Sequence, residues 1–137
     1  MKRNLIILLI CILCVIAMVF CSCSFQQKND DIKIEEKSFF SNFKMEDGKV
    51  YVYCMLYIDN LTEEEKSIQL KATLENDVEN GLLKEALIDG YSIDETTQYF
   101  QLQKGENCLE VVFIGEHAGG EQKYDRKLPD IEIIEVE

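Results

Sequence analysis

Histidine and carboxylate side chains are the first candidates for chemistry in this chain. His117 is the only histidine, and the common Ser-His-Asp and Cys-His forms of nucleophilic catalysis need a histidine as general base. It lies in GEHAGGEQKYDRKLP, a turn-rich stretch in which Glu116, Glu121 and Asp125 would complete a metal site. A solvent-exposed loop histidine is the interpretation that this context favours. We therefore predict no catalytic residue, no metal site and no cofactor.

Carboxylates are plentiful, and pairs of them act as acid and base in glycoside hydrolysis. Neighbouring side chains on a strand point to opposite faces, however, so adjacent carboxylates diverge. In ENDVENG, residues 75–81, the acidic residues alternate as calcium ligands do, but the glycine comes one place later than in an EF-hand loop. We predict a protein that is not an enzyme. The alternative is a cell-envelope enzyme or accessory subunit that acts on wall or saccharide substrates.

The first 22 residues have the form of a secretory signal. Lys2 and Arg3 precede LIILLICILCVIAMVF, an apolar stretch that is short for a bilayer span. The following FCSC, residues 20–23, resembles a bacterial lipobox, which implies cleavage before Cys23 and acylation of that cysteine by palmitate or a similar chain. An uncleaved anchor over residues 5–21 is the alternative. Both place the remaining chain at the extracytoplasmic face of a bacterial cell membrane, because the positive end stays inside.

The other cysteines are interpreted from this location. Cys11 and Cys14 have C-x-x-C spacing but lie in the apolar leader, where they act as small apolar residues. Cys54 and Cys108 then form an even pair in an oxidising compartment, and a disulfide between them is one hypothesis. Strand alternation opposes it, because Cys54 shares a face with apolar neighbours whereas Cys108 has the parity of Glu110.

The charge of the chain argues against two classes of function. The formal net charge is -12. A chain that starts at Cys23 loses Lys2 and Arg3, which leaves 12 basic and 26 acidic side chains, or -14. This balance argues against nucleic-acid binding and against adhesion to an anionic bilayer through a basic surface. An acidic immunity or inhibitor lipoprotein that binds a basic partner is a further alternative.

Period-2 alternation dominates the chain after the leader and predicts a β-structure. We predict a signal peptide over residues 1–22, a polar tether over residues 23–31 and one β-domain over residues 32–137. Asp47-Gly48 predicts a hairpin turn, ENDVENG predicts a turn, and LLKEALIDGYSID suits a helix or a short strand. Seven or eight strands joined by polar turns indicate an all-β, two-sheet sandwich. The predicted strands include DIKIE, FFSNFKM, VYVYCMLYID, SIQLKATLE, YFQLQ, CLEVVFIG and IEIIEV.

The arrangement of these strands resembles a known class of domain. A strand ending in DNLT, an acidic turn, a second alternating strand and LQKGE before LEVVFIG are similar to the small immunoglobulin-like sandwich of uncharacterised Gram-positive lipoproteins. The resemblance covers residues 45–115. It implies an extracytoplasmic immunoglobulin-like β-sandwich and no particular activity.

Two surfaces could support the binding of a partner. In VYVYCMLYI one face can fill the core, which leaves Tyr51, Tyr53 and Tyr57 on the other, where rigid aromatic rings bind sugars or proteins at low entropic cost. The interpretation that the sequence favours, however, is a central strand whose tyrosine face is covered by the tether or a loop. The second surface is the loop of residues 115–129.

This loop carries Lys123, Arg126 and Lys127 in an otherwise acidic chain. Long ordered loops often carry function, although a purely connecting role is the alternative. If the loop is the site, replacing Arg126 and Lys127 by alanine weakens binding without lowering the melting temperature. We predict a binding or interaction module at a bacterial cell surface, whose partner is an envelope protein or saccharide.

Overall fold

The computed structural model describes residues 30–122 and 125–137. Within these ranges the chain forms eight β-strands and one short helix, so the predicted all-β class is confirmed. The elements are β1 (Ile32–Ile34), β2 (Phe39–Glu46), β3 (Lys49–Asn60), β4 (Lys66–Thr73), α1 (Glu75–Glu79), β5 (Leu87–Ser92), β6 (Phe100–Leu102), β7 (Gly105–Glu116) and β8 (Asp130–Val136).

All strand pairs are antiparallel and belong to one continuous sheet in the order β1-β3-β7-β5-β4-β6, with β2 also on β3 and β8 also on β4. β5 is the strand that joins the two halves of this sheet. Asp89 of β5 lies opposite Lys71 of β4 and also opposite Ile114 of β7. We call β1, β2, β3 and β7 the first layer, and β4, β6 and β8 the second layer.

One hydrophobic core lies between the two layers. The predicted inner face of β3 is buried, and the alternate residues of β4 and β7 belong to the same cluster. Burying each such aliphatic side chain contributes about 1.5–3 kcal/mol, which favours packing of one layer on the other. The arrangement is therefore sandwich-like. The buried residues include Val50, Val52, Cys54, Leu56, Ile58, Ile68, Leu70, Ala72, Val111 and Phe113.

The hairpin between β2 and β3 is the predicted Asp-Gly turn. Glu46 lies opposite Lys49, so only Asp47 and Gly48 connect the strands. Both have positive φ, 52° and 74°, as a two-residue turn with matching twist requires. This local prediction is confirmed.

The segment between β4 and β5 differs from the prediction. Residues 75–79 form α1 where a simple turn was expected, and the ambiguous segment contributes β5. The carbonyl of Asp77 accepts hydrogen bonds from the backbone N–H groups of Leu82 and Leu83, at 2.8 and 3.1 Å. Both leucines are buried, so packing onto the core stabilises a helical turn that the sequence alone did not indicate.

The leader, Cys23 and most of the predicted tether lie outside the described residues. Across residues 30–122 and 125–137, no helix is long and apolar enough to cross a bilayer.

Candidate functional site

The outer side of the first layer carries a row of tyrosines, which we call the tyrosine face. Because β3 points its even-numbered residues into the core, the odd-numbered ones point outward. The strand register places Ile114, Val112 and Cys108 of β7 beside Tyr51, Tyr53 and Tyr57 respectively. The face comprises Lys44, Tyr51, Tyr53, Met55, Tyr57, Cys108, Glu110, Val112 and Ile114.

Side chains of the tyrosine face pack on one another. The rings of Tyr51 and Tyr53 are nearly parallel, with centroids 6.5 Å apart and an interplanar angle of 17°. Val112 is fully buried although it lies on this outer side. Tyr53 and Tyr57 are only half-buried. Their rings therefore remain partly accessible on a pre-ordered surface. Tyr51, predicted to be exposed on the same face, is instead buried, because the Tyr53 ring stacks on it and the Lys44 ammonium lies over its ring.

Two lysines lie over tyrosine rings of this face. The Lys37 ammonium lies 4.5 Å from the Tyr57 ring centroid, and it donates to Glu106 at 2.6 Å. The Lys44 ammonium lies 4.8 Å from the Tyr51 centroid and 2.6 Å from a carboxylate oxygen of Glu46. The hydrogen bond to Glu106 raises the pKa of Lys37 above its ordinary value. Each ammonium thus contacts both a π-face and a carboxylate.

The second predicted surface, the loop after β7, is tied to the segment that follows α1. β7 continues to Glu116, so the loop begins at His117. The backbone N–H of Ala118 donates to Leu82 at 2.9 Å, and that of Gly120 donates to Gly81 at 2.8 Å. His117 is half-buried, with its Nε2 atom 2.7 Å from the Gly120 carbonyl oxygen.

These contacts bear on the metal hypotheses. Over the described ranges, the structure brings no three histidine, cysteine, aspartate or glutamate residues together as a metal site would. The alternating acidic residues of positions 75–81 do not lie in a loop of the EF-hand type. Glu75–Glu79 is a helix, and the Asp77 carboxylate is directed inward to Arg126.

The position of Arg126 contradicts the prediction that this residue binds a partner. Its side chain is only 3% exposed, and it donates from Nη1 and Nη2 to the two carboxylate oxygens of Asp77, both at 2.9 Å. Its guanidinium carbon also lies 4.2 Å from the ring centroid of Phe43 on β2. The prediction that Arg126 is an exposed partner-binding residue is therefore wrong, because the side chain is buried in an ion pair.

Lys127 is exposed beside this pair, and Lys123 lies outside the described residues. A cleft of about 480 Å³ separates Thr73–Asn76 from Asp125–Asp130. Arg126 and Lys127 are its basic lining residues, among the carboxylates of Glu75, Asp125 and Asp130. The mixed charge of this cleft favours no single class of ligand.

Cys54 and Cys108 are both free thiols. Cys54 lies opposite Val111 and points into the core, whereas Cys108 lies opposite Tyr57 on the exposed outer side. The hypothesis of a disulfide between them is therefore wrong, because the two side chains project from opposite faces of the sheet, as strand alternation indicated. Burial raises the pKa of the Cys54 thiol to about 12. Cys108 instead contacts the sulfur of Met55 at 3.4 Å.

Sequence reasoning missed the pairing of Asp77 with Arg126. A signal was available, because Arg126 is the only arginine after the leader, and the planar guanidinium suits buried, bidentate pairing better than lysine does. The sequence did not indicate its acidic partner, since Asp77 is one of 26 acidic residues.

Comparison with known proteins adds no assignment. No protein-family model, no curated protein and no solved structure matches this chain significantly.

Proposed function

We propose that the protein is a bacterial lipoprotein, held at the extracytoplasmic face of the membrane through an acylated Cys23. In this proposal its β-domain is an immunoglobulin-like module that binds an envelope partner and does not catalyse a reaction. The support for the anchor is the signal-like leader and the FCSC sequence that ends it. The support for the module is the sandwich-like, all-β architecture.

The observation that carries the binding role is the ordered row of Tyr51, Tyr53 and Tyr57, in which Tyr51 is buried and the half-buried rings of Tyr53 and Tyr57 remain partly accessible. The ends of this row, Tyr51 and Tyr57, are six positions apart, which is about 20 Å along a strand. The rings stand on a central strand that pairs along both of its edges, so little conformational entropy is lost when they contact a partner. A patch of rigid aromatic side chains on an acidic domain favours recognition of a specific partner.

The described chain enters the first layer at one end of the tyrosine face. Ile32 lies opposite Asn60, so the tether reaches the domain at the end of β3. The loop after β7 lies at the opposite end, because Lys49 is paired with Glu116. The tyrosine face runs along the side between the two ends. An anchored domain can therefore present it to a neighbouring molecule without folding back onto the bilayer.

Cys108 offers a direct test, because it is an exposed thiol within the tyrosine face. A membrane-impermeant maleimide is applied to intact cells and to the full-length protein purified in detergent, and modification of Cys108 is followed by mass spectrometry. We expect labelling in intact cells, at a lower rate than in the purified protein because the partner covers the face. If Cys108 and also a control cysteine away from this face were labelled only after cell lysis, the extracytoplasmic location would be overturned.

The matched control is Glu132→Cys in a Cys108→Ser background, because Glu132 is exposed on β8 in the second layer. Its labelling rate should be equal in cells and in the purified protein. Equal rates at Cys108 as well would overturn the binding role of the tyrosine face.

The anchor is tested by the intact mass of the protein extracted from its native membrane. The expected mass is that of a chain starting at Cys23 plus acyl groups, and the Cys23→Ala variant should retain its leader. A full-length, unacylated wild-type mass would overturn the lipoprotein assignment.

A further inference from the structure

The tyrosine face contains a recurring arrangement of tyrosine and glutamate. Lys37 lies between Tyr57 and Glu106, and Lys44 contacts Tyr51 and a nearby carboxylate. In both cases an ammonium is attracted by the ring quadrupole and by a negative charge together. The chain's own lysines thus show that this surface accommodates an ammonium group.

A third tyrosine and glutamate lie between these two. Tyr53 faces Val112, and Glu110 is two residues before Val112 on the same side of β7. Such diagonal neighbours on antiparallel strands are about 7–8 Å apart, within reach of long side chains. Glu110 is exposed and Tyr53 is half-buried. In residues 30–122 and 125–137, no lysine or arginine pairs with Glu110 or lies over Tyr53.

The charge of the whole chain favours one kind of occupant. With a formal net charge of -12, the chain attracts a cationic partner and repels nucleic acid and anionic lipid headgroups. A second copy of this chain is disfavoured for the same reason, since Glu110 and its neighbours would meet like charge. A lysine-bearing segment of another polypeptide supplies both the ammonium and the complementary charge.

We propose that the tyrosine face recognises a lysine-rich polypeptide segment, one of whose ammonium groups lies between the Tyr53 ring and the Glu110 carboxylate. This inference rests on the proposed function and specifies its partner class. Tyr53 supplies the π-face and Glu110 the hydrogen-bond acceptor. Neighbouring lysines of the segment gain from the negative field of the domain, so binding weakens as salt rises.

The test uses the full-length protein in nonionic detergent and a fluorescent lysine decapeptide. The comparison peptide is the same decapeptide with acetylated lysine side chains, because acetylation removes the charge at equal length. We expect binding of the lysine peptide that weakens with added salt, and loss of binding on acetylation. Equal binding of the two peptides, or no binding of either, would overturn the inference.

Two variants locate the ammonium site. Glu110→Gln should weaken binding about tenfold, the effect of losing one charge-assisted contact. Tyr53→Leu should weaken it about fivefold, whereas Tyr53→Phe, which keeps the ring, should retain affinity. Both positions are on the outer side, and an unchanged circular dichroism spectrum and melting temperature check that each variant is folded.

The matched control is Glu132→Gln, which removes one negative charge from the second layer. We expect its affinity to stay within about twofold of wild type at moderate salt. Equal losses for Glu110→Gln and Glu132→Gln would mean diffuse attraction by net charge and would overturn the site.

Failure of this inference is distinguishable from failure of the proposed function. If Cys108 is protected in cells but the lysine peptide does not bind, the tyrosine face has a partner of another class. Tyr53-dependent, salt-insensitive binding of a neutral wall saccharide would likewise overturn the ammonium site while leaving the binding role of the face intact.

Discussion

Both terminal guanidinium nitrogens of Arg126 donate to the Asp77 carboxylate at 2.9 Å. The Asp77 side chain is completely buried, and the guanidinium also lies over the Phe43 ring. Through these contacts one side chain joins β2 of the first layer to the helix that follows β4 of the second. The pair holds the end of the sandwich opposite to the point where the tether enters.

Breaking this ion pair should strongly destabilise the domain. We expect Asp77→Ala, and separately Arg126→Ala, to lower the free energy of unfolding by about 3–5 kcal/mol, because each leaves a buried charge uncompensated. The measurement is urea-induced unfolding of the full-length protein, followed by circular dichroism. A loss below about 1 kcal/mol would show that water compensates the remaining charge.

The neighbouring Lys127 serves as the control for that measurement. It is exposed, so Lys127→Ala should change stability by less than about 0.5 kcal/mol. The double variant Asp77→Leu with Arg126→Met should be more stable than either alanine variant, since apolar replacement of a whole buried pair is often tolerated. The expectation from sequence, that removing Arg126 and Lys127 leaves the melting temperature unchanged, is thereby reversed.

The buried thiol of Cys54 should make the domain sensitive to alkali. In the folded state its pKa is about 12, against an ordinary value of 9.0. The unfolded chain therefore loses this proton first as the pH rises. The contribution of the neutral thiol is complete below about pH 9 and is lost as the pH rises toward the folded-state pKa.

Cys54→Ala isolates this effect from the titration of other groups. The stability advantage of wild type over the variant should shrink by about 2 kcal/mol between pH 8 and pH 10.5, since each pH unit above the unfolded-state pKa contributes about 1.4 kcal/mol. Urea unfolding of both proteins at the two pH values measures it. An advantage that is independent of pH would contradict the assigned burial of the thiol.

The two thiols should also differ in reactivity, and neither should support a disulfide within the domain. We expect the melting temperature to be the same with and without reductant, and Cys108→Ser to leave it unchanged. In the purified native protein, maleimide should modify Cys108 quickly and Cys54 only after unfolding, because the thiolate is the reactive form. A peptide containing Cys54 linked to Cys108 in a non-reducing digest would contradict this.

Gly90 is predicted to be intolerant of a side chain. It lies on β5 opposite Phe113, and a Cβ atom there would come within 2.9 Å of the Phe113 ring and 3.1 Å of the Leu70 carbonyl oxygen. We expect Gly90→Ala to destabilise the protein by about 1–3 kcal/mol through overpacking. Thermal unfolding of the full-length variant measures the loss.

Phe113→Leu provides the second variant for that experiment. It removes the ring atom that the new methyl group would meet, so the double variant should lose less stability than the sum of the two single losses. Additive losses would mean that the Leu70 backbone, rather than the ring, limits the space at Gly90.

The sequence by itself determined the features that depend on local periodicity and turn chemistry. Alternation along β3 identified the even-numbered residues from Val50 to Ile58 as the core side. It identified the odd-numbered tyrosines as the outer side, because successive strand residues point to opposite faces. Asp47-Gly48 identified its hairpin, because few residue pairs tolerate positive φ at both positions.

Only the tertiary structure decided the relationships between distant segments. The pairing of Asp77 with Arg126, 49 residues apart, depends on how the second layer packs against β2. The placement of Lys37 and Glu106 around Tyr57 likewise requires the register of β3 on β7 together with the path of the chain between β1 and β2. Alternation along one strand carries no information on which distant strand lies beside it. Which of the many acidic side chains becomes buried is set by layer packing, where the desolvation of a charge must be offset by a partner in direct contact.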